Sequence, residues 1–262
     1  MVQVFVDTPQ QFPLNEYLKN NLDQAKKITS KDWDMVFLVD GYEGSGKSVL
    51  AMQVAYYCDP SLVAERICFT SQDFQEAIKK ADKYQAIVYD EAYTGLSSRG
   101  TMSKVNKSIV EMLAEIRQKN LFVVIVMPTF FDLDKYVALW RSRVLLHVYT
   151  GANFQRGFFS FYNADNKKAL YVQGKKFYNY HAWKPNFRAK FGNYYPIDEA
   201  EYREKKRTAL GTKNTEPVGH EARYKKRIEE TIVRMKEMGY KNVELCKFFD
   251  YDATRICQIA GK

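Results

Sequence analysis

The sequence has little of what membrane-spanning, zinc-binding or disulfide-stapled proteins need. Its longest apolar run, from Leu121 to Met127, is far shorter than the about 18 residues of a membrane helix. The N-terminal MVQVFVDTPQ lacks the basic-then-apolar order of a signal peptide. Four cysteines form no CxxC pair and only three histidines are present, so neither a zinc site nor a disulfide framework is predicted. We expect a soluble, cytoplasmic protein with no membrane partner.

Positive charge is concentrated in the C-terminal half of the chain. Residues 1–150 carry 17 Lys and Arg against 18 Asp and Glu, whereas residues 151–262 carry 23 against 13. A basic half joined to a neutral half suggests a polyanionic partner for one part only, and nucleic acid is the candidate. A basic surface that is merely solvated is the alternative.

Short apolar runs alternate with helical patterns between residues 35 and 150. Runs without polar alternation are typical of strands covered on both faces, and helices between them supply the crossovers of a parallel sheet. The pattern predicts an α/β domain of five strands, which are MVFLVD, RICFT, AIVYD, LFVVIVM and VLLHVYT. The predicted helices cover residues 47–57, 72–82, 104–119 and 133–139.

The rest of the chain divides into four predicted segments. Residues 1–34 form an N-terminal annex with a strand and a helix, and residues 151–200 form a basic, aromatic extension of antiparallel β-hairpins. Residues 201–220 are a linker, and residues 221–262 return to helical periodicity. The aromatic and basic residues of the extension would suit stacking on single-stranded nucleic acid, or they would simply fill a hairpin core.

Residues 41–48, GYEGSGKS, match the phosphate-binding pattern G-x-x-x-x-G-K-S between a predicted strand and a predicted helix. In this pattern backbone N–H groups surround the phosphates, Lys47 meets the β- and γ-phosphates, and the Ser48 hydroxyl binds Mg²⁺. An ordinary glycine-rich turn is the alternative. The predicted cofactors are ATP and Mg²⁺, and the predicted nucleotide contacts are Gly41, Gly44, Ser45, Gly46, Lys47, Ser48 and Val49.

An acidic pair and a threonine follow two of the other predicted strands. AIVYDEA places Asp90 where it would hold Mg²⁺ and Glu91 where it would orient or deprotonate an attacking water. Two adjacent carboxylates favour hydrolysis over transfer to a metabolite, although they would also cap a loop. Thr129 would face the γ-phosphate after the run LFVVIVM, or it is a plain turn residue after Pro128.

Phosphoryl transfer also benefits from a cation that offsets the developing charge, often an arginine of a neighbouring subunit. Arg141 and Arg143 are favoured because WRSR lies at the edge of the predicted domain. Arg117 and Arg99 are further candidates. A surface salt bridge is the ordinary alternative for each of them.

The arrangement GYEGSGKS, VYDEA, EIRQKNLFVVIVMPT and FDLDKYVALWRSRVLLHV resembles the P-loop ATPases that have a catalytic glutamate and an extra strand between the two nucleotide strands. Within that class it is similar to the Zot-like (zonular occludens toxin domain) proteins of phages, the FtsK-HerA DNA pumps and the ATPase halves of viral terminases. The resemblance covers residues 35–150. It implies that Lys47, Ser48 and Asp90 bind phosphate and magnesium. It also implies that Glu91 is the catalytic base and Thr129 the sensor.

The segment 221–262 resembles a resolvase-type helix-turn-helix, whose last helix enters the major groove. Thr254, Arg255 and Gln258 would then face base edges, because Arg reads guanine and Gln reads adenine through paired hydrogen bonds. A plain oligomerisation or capping module is the alternative. The predicted phosphate contacts are Arg223, Lys225, Lys226, Arg227 and Lys241.

Together these features predict an ATP-hydrolysing motor of a virus or mobile element that translocates or packages DNA, double-stranded DNA being favoured. It would act as a homo-oligomeric ring, in the host cytoplasm if viral, with any portal or nuclease supplied as a separate chain. The alternative is a DNA-binding replication-initiation or regulatory ATPase switch. A small-molecule kinase is a third class, which the basic C-terminal half disfavours.

Overall fold

The chain folds into two compact units, residues 1–210 and residues 211–262. The structure is a computed structural model. It describes residues 2–90, 110, 112, 115–213, 220–249, 251 and 253–260. Within these ranges, no helix is both long enough and apolar enough to cross a membrane.

A seven-stranded sheet forms the centre of the first unit. The strands of this unit are β1 (Gln3–Phe5), β2 (Pro13–Asn15), β3 (Met35–Gly41), β4 (Ile67–Cys68), β5 (Ala86–Asp90), β6 (Phe122–Val126), β7 (Val144–Tyr149), β8 (Phe158–Tyr162) and β9 (Phe187–Lys190). The sheet has the order β4-β5-β6-β3-β7-β8-β9, and β1 pairs separately with β2. Strands β3 to β7 are parallel, while β8 and β9 are antiparallel additions. The predicted α/β fold with five strands in a mostly parallel sheet is confirmed.

Helices cover both faces of this sheet. They are α1 (Glu16–Thr29), α2 (Lys47–Cys58), α3 (Ser71–Lys80), α4 (Ala164–Gly174) and α5 (Glu199–Lys213). One buried cluster joins α1 and α2 to one face, and a second joins α3 and α4 to the other. Successive strand residues point to opposite faces. Asp90 therefore lies on the α2 face with Val88, whereas Asp40 lies on the α3 face with Leu38.

The prediction of a β-hairpin extension is wrong at residues 164–174. These residues form helix α4 rather than a turn and a strand. Asn163 caps this helix by accepting a hydrogen bond from the Asn166 backbone N–H at 2.9 Å. Asparagine and aspartate favour both turns and helix N-termini, so ADNKK carries the same signal for either. The aromatic runs beside α4 extend the main sheet: Phe159 pairs with Val148 on one side and with Ala189 on the other.

The prediction of a linker from residue 201 is wrong over its first part, because residues 199–213 form helix α5. Its sequence is dominated by charge and carries a single well-buried aromatic, Tyr202, in the part whose side chains are described. The ring of Tyr202 packs 5.7 Å from that of Phe69 and 6.0 Å from that of Tyr195. One such contact is too little to give a periodic pattern.

Beyond the end of α5, the described part of the second unit consists of three helices, as the periodicity of residues 221–262 predicts. They are α6 (His220–Glu237), α7 (Asn242–Phe248) and α8 (Ala253–Ala260). A small apolar cluster holds them together, formed by Ile232, Leu245, Ile256 and Ile259.

Lys167 is a fully buried lysine on α4. Its Nζ donates hydrogen bonds to the Ala138 carbonyl and, at 2.9 Å, to Ser142 Oγ. Burial, together with the positive charges of Lys168 and Arg143, lowers the pKa of Lys167 to about 7. The folded protein therefore holds this amine neutral at mildly alkaline pH, whereas the unfolded chain keeps it charged up to about pH 10.

We expect the stability of the first unit to rise with pH because of Lys167. Between pH 7 and 10 the unfolded chain binds the extra proton, so this group adds up to about 1.4 kcal/mol to the free energy of unfolding per pH unit. Lys167→Met keeps the unbranched stem and should remove that slope. Urea unfolding at pH 7, 8 and 9 measures it through Trp33, Trp140 and Trp183, which all lie in this unit. Equal slopes for the wild-type and Lys167→Met proteins would contradict the lowered pKa of Lys167.

Candidate nucleotide site

The loop between β3 and α2 adopts a backbone that its glycines require. Gly41 has a φ of 134° and Gly46 a φ of 103°, a region that side chains disfavour. A Cβ on Gly41 would lie 2.0 Å from the carbonyl oxygen of Val148 on the neighbouring strand. Helix α2 begins at Lys47, directly after the loop. Its first N–H groups have no partners within the helix and are therefore placed to bind an anion.

Lys47 and Ser45 place their polar atoms at this loop. Lys47 Nζ donates to the carbonyl oxygens of Gly41 and Tyr42, each at 2.7 Å. Burial lowers the pKa of Lys47, and the carboxylates of Asp40 and Asp90 act in the opposite direction. Ser45 Oγ is buried and has no hydrogen-bond partner among the described residues. A loop with an unpartnered buried hydroxyl and an adjacent ammonium fits a bound anion.

Asp90 lies on the α2 face at the carboxyl edge of the sheet, and it lines the same cleft as Ser48. Asp90 ends β5, and its register partner Val126 on β6 pairs in turn with Val39 of β3. The Asp90 side chain is 5% exposed. Its Oδ2 accepts hydrogen bonds from the Tyr202 hydroxyl at 2.8 Å and from Lys206 Nζ at 3.1 Å.

Helix α5 thus supplies two groups to this corner. Burial, followed by the charge of Asp90, raises the pKa of Tyr202, and the Ser48 side chain acts in the opposite direction. Lys206 Nζ lies 3.1 Å from the Tyr202 hydroxyl. The sequence analysis missed both residues, because their segment was assigned to a linker.

A cleft of about 780 Å³ opens beside the loop, which is within the roughly 300–1,000 Å³ of small-molecule sites. Three cationic side chains besides Lys47 line it: Arg156, Arg203 and Lys206. The guanidinium Nη2 of Arg156 lies 3.7 Å from where a Cβ on Gly44 would be. Arg203 pairs with Glu199 on the exposed side of α5. The site therefore combines a glycine loop with cations of this same chain, which suits a phosphate-rich ligand.

Thr129 does not line this cleft, although Pro128 does. The Thr129 hydroxyl lies 3.2 Å from the Tyr180 hydroxyl and caps the helical turn that follows it. Tyr180 donates to Asp40, which is fully buried and also accepts from the Phe130 backbone N–H at 2.8 Å. His147 Nδ1 completes the cluster, 2.9 Å from Asp40 Oδ1.

This cluster occupies the sheet face opposite α2. Burial, followed by the charge of Asp40, raises the pKa of Tyr180. Two features of the sequence could have indicated this cluster. They are a polar residue before the first glycine of the motif and a histidine at the matching position of a neighbouring strand, since Asp40 pairs in register with His147.

Arg141 and Arg143 lie at the opposite edge of the sheet from the cleft, where β3 and β7 begin. The Arg141 guanidinium makes two hydrogen bonds to the Asp34 carboxylate, at 2.6 and 3.3 Å. The Arg143 guanidinium lies 5.1 Å from the centre of the Trp33 ring. Arg117 is exposed at the end of a helical segment. Two other predicted residues, Glu91 and Arg99, lie outside the described residues.

The predicted nucleic-acid contacts lie on the helices of the second unit. Lys241, Thr254 and Gln258 are exposed. Lys241 precedes α7, and its backbone N–H donates to Glu244 Oε2 at 2.7 Å. The other candidates belong to α6 and α8, and their side chains lie outside the described part of the structure: Arg223, Lys225, Lys226, Arg227 and Arg255.

Ser48 and Asp90 are the protein groups that could hold a metal ion at the cleft. Among the described residues, no three His, Cys, Asp or Glu side chains come together as a metal site of their own. This small donor set fits Mg²⁺, which proteins commonly hold through one or two side chains together with phosphate oxygens and water. No protein-family model matches the chain, and no curated protein matches it.

Proposed function

We propose that the chain is an ATPase that hydrolyses ATP to ADP and phosphate with Mg²⁺. The observation that carries the proposal is the loop of residues 41–48. Its glycines have the backbone that surrounds phosphates, Lys47 stands at the helix N-terminus, and the buried Ser45 hydroxyl has no described partner. The cationic lining of the cleft supports a triphosphate over a neutral ligand.

Each site residue has a proposed role. Lys47 would leave the loop carbonyls for the β- and γ-phosphates, and Ser48 and Asp90 would hold the metal ion. A bound Mg²⁺ would neutralise charge that develops on the phosphates. Glu91, directly after Asp90 in sequence, remains the proposed base for the attacking water. Thr129 is bonded to Tyr180 and stays a candidate only for indirect sensing through Asp40, which adjoins the loop.

We further propose that ATP hydrolysis moves or packages DNA. The sheet order β5-β6-β3 places one strand between the strand that carries Asp90 and the strand that precedes residues 41–48, which supports the resemblance to P-loop ATPases with a catalytic glutamate. The excess of positive charge after residue 150 supports a DNA partner. The helices of residues 220–260 would grip duplex DNA. Arg141 and Arg143 could act only on a neighbouring subunit of a ring, since they lie away from their own cleft.

A DNA-binding ATPase switch is the second candidate. One observation favours it: α5 binds the proposed metal-binding carboxylate of Asp90 through Tyr202 and Lys206, and the chain continues from α5 into the basic helices. Displacement of a third strand from a DNA triplex separates the two candidates. A motor displaces it only while hydrolysing ATP, whereas a switch changes its DNA affinity with ATP and displaces nothing.

Hydrolysis with and without nucleic acid tests the proposal. We expect duplex DNA to stimulate ATP hydrolysis by the full chain, and we expect a chain ending at Lys213 to lose the stimulation but keep the basal rate. The shorter chain retains the two buried clusters that hold the first unit together. Single-stranded DNA of equal phosphate concentration is the control for simple charge. Rates indifferent to DNA in both chains would refute the DNA motor and leave an ATPase with another partner.

A further inference from the structure

Helix α5 contacts one of the protein groups proposed to hold Mg²⁺, and this contact goes beyond the proposed function. Lys206 Nζ and the Tyr202 hydroxyl both bond to Asp90 Oδ2, at 3.1 and 2.8 Å. Ser48 and Tyr202 line the same cleft. One turn of a helix from another part of the chain therefore binds Asp90 and lies at the cleft with Ser48.

The chemistry of this contact is that of a substitute cation. Asp90 is almost fully buried, and a buried carboxylate needs a positive partner and hydrogen-bond donors. Lys206 supplies the charge and Tyr202 the donor. A divalent ion that binds the same oxygen brings two positive charges to within about 5 Å of the ammonium group, which Coulomb repulsion opposes.

The contact is built so that it can break. The Lys206 side chain is 31% exposed, and partly exposed ion pairs are individually weak. Other contacts hold α5 to the first unit without involving Asp90: Lys205 Nζ donates to the Ala64 carbonyl at 2.8 Å, and Ala209 packs against the buried cluster of the α2 face. Asp90 would hold Mg²⁺ together with phosphate oxygens and water, so the ion would have several ligands besides this carboxylate.

We propose that α5 is an autoinhibitory latch, in which Lys206 and Tyr202 compete with Mg²⁺ for Asp90. This inference rests on the proposed nucleotide site. Binding of a magnesium nucleotide releases Lys206 and Tyr202, and α5 then changes its contacts at residues 199–209. Because the chain runs from α5 to residues 220–260, the latch links nucleotide occupancy to the C-terminal helices.

Magnesium titration tests the latch through a binding readout. A fluorescent, non-hydrolysable ATP analogue is held at constant concentration while Mg²⁺ is raised, and the half-saturating Mg²⁺ concentration is read. We expect this concentration to fall about fivefold in Lys206→Met, as the loss of a partly exposed competing ion pair implies. Arg207→Met, which removes an exposed charge from the same helix, should leave it unchanged.

A second variant and a second readout complete the test. Tyr202→Phe keeps the ring that packs on Phe69 and removes only the hydroxyl, so it should shift the titration in the same direction. Hydrogen–deuterium exchange of residues 199–209 should increase when wild-type protein binds the magnesium nucleotide.

The outcomes separate the latch from the site. If the wild-type chain binds the analogue but Lys206→Met needs as much Mg²⁺ or more, the latch is wrong and the nucleotide site stands. Hydrogen–deuterium exchange of α5 that does not change when the magnesium nucleotide binds also overturns the latch. A wild-type chain that binds no nucleotide with Mg²⁺ overturns both proposals.

Discussion

Lys47→Ala is expected to lower ATP hydrolysis at least about 100-fold, the effect of removing one group that stabilises transition-state charge. Lys47 Nζ bonds only to the Gly41 and Tyr42 carbonyls among the contacts described, so its loss should leave the fold intact. DNA binding should persist, because the proposed DNA contacts lie in the second unit. Phosphate release at saturating ATP, with DNA binding measured on the same preparation, checks both expectations.

Lys80→Ala is the matched control for this change. Lys80 lies on α3 with its side chain 80% exposed, and it pairs with Glu76 across one helical turn. The Lys80→Ala protein loses the same charge far from the cleft, so it should hydrolyse ATP at the wild-type rate. A Lys47→Ala protein that hydrolyses ATP normally would exclude residues 41–48 as the catalytic phosphate loop, whatever the DNA results.

The strands and the glycine-rich turn between β3 and α2 were predictable from the sequence because their signals are local. Strand β6 is an uninterrupted apolar run and β3 is apolar from Met35 to Val39, since both of their faces are covered. The spacing of Gly41, Gly46 and Lys47 is likewise read within eight residues, and the backbone of the loop requires those glycines. Sequence order alone also puts Asp90 at the carboxyl end of a parallel strand, which is the edge where the loop lies.

The α5 side of the site was not predictable because it depends on contacts between distant residues. Tyr202 and Lys206 follow Asp90 by more than 100 residues and lie in a segment whose charges give no amphipathic stripe. Arg156 lies in the segment that the sequence predicts to form hairpins, and nothing in that pattern shows that its guanidinium lies close to Gly44. The sequence places Arg141 at a domain edge, where it could act on a neighbouring subunit. It does not reveal that Asp34 forms an ion pair with this arginine.

Asp40→Ala is expected to destabilise the first unit by about 3 kcal/mol, which is typical when a buried charged network loses one partner. Asp40 is fully buried and joins three elements: the end of β3, His147 of β7 and the turn after β6. Its removal leaves the Phe130 N–H and the Tyr180 hydroxyl without this acceptor in a site that water does not reach.

Urea unfolding followed by tryptophan fluorescence measures this effect, because all three tryptophans belong to the first unit. Asp40→Asn keeps an acceptor for Phe130 N–H but loses the charge, so it should cost less than Asp40→Ala. Asp7→Ala, at an exposed position, is the control and should change stability by less than about 0.5 kcal/mol. A loss below about 1 kcal/mol for Asp40→Ala would mean that His147 and Tyr180 find other partners. The cluster would then not hold the β3 end of the phosphate loop in place.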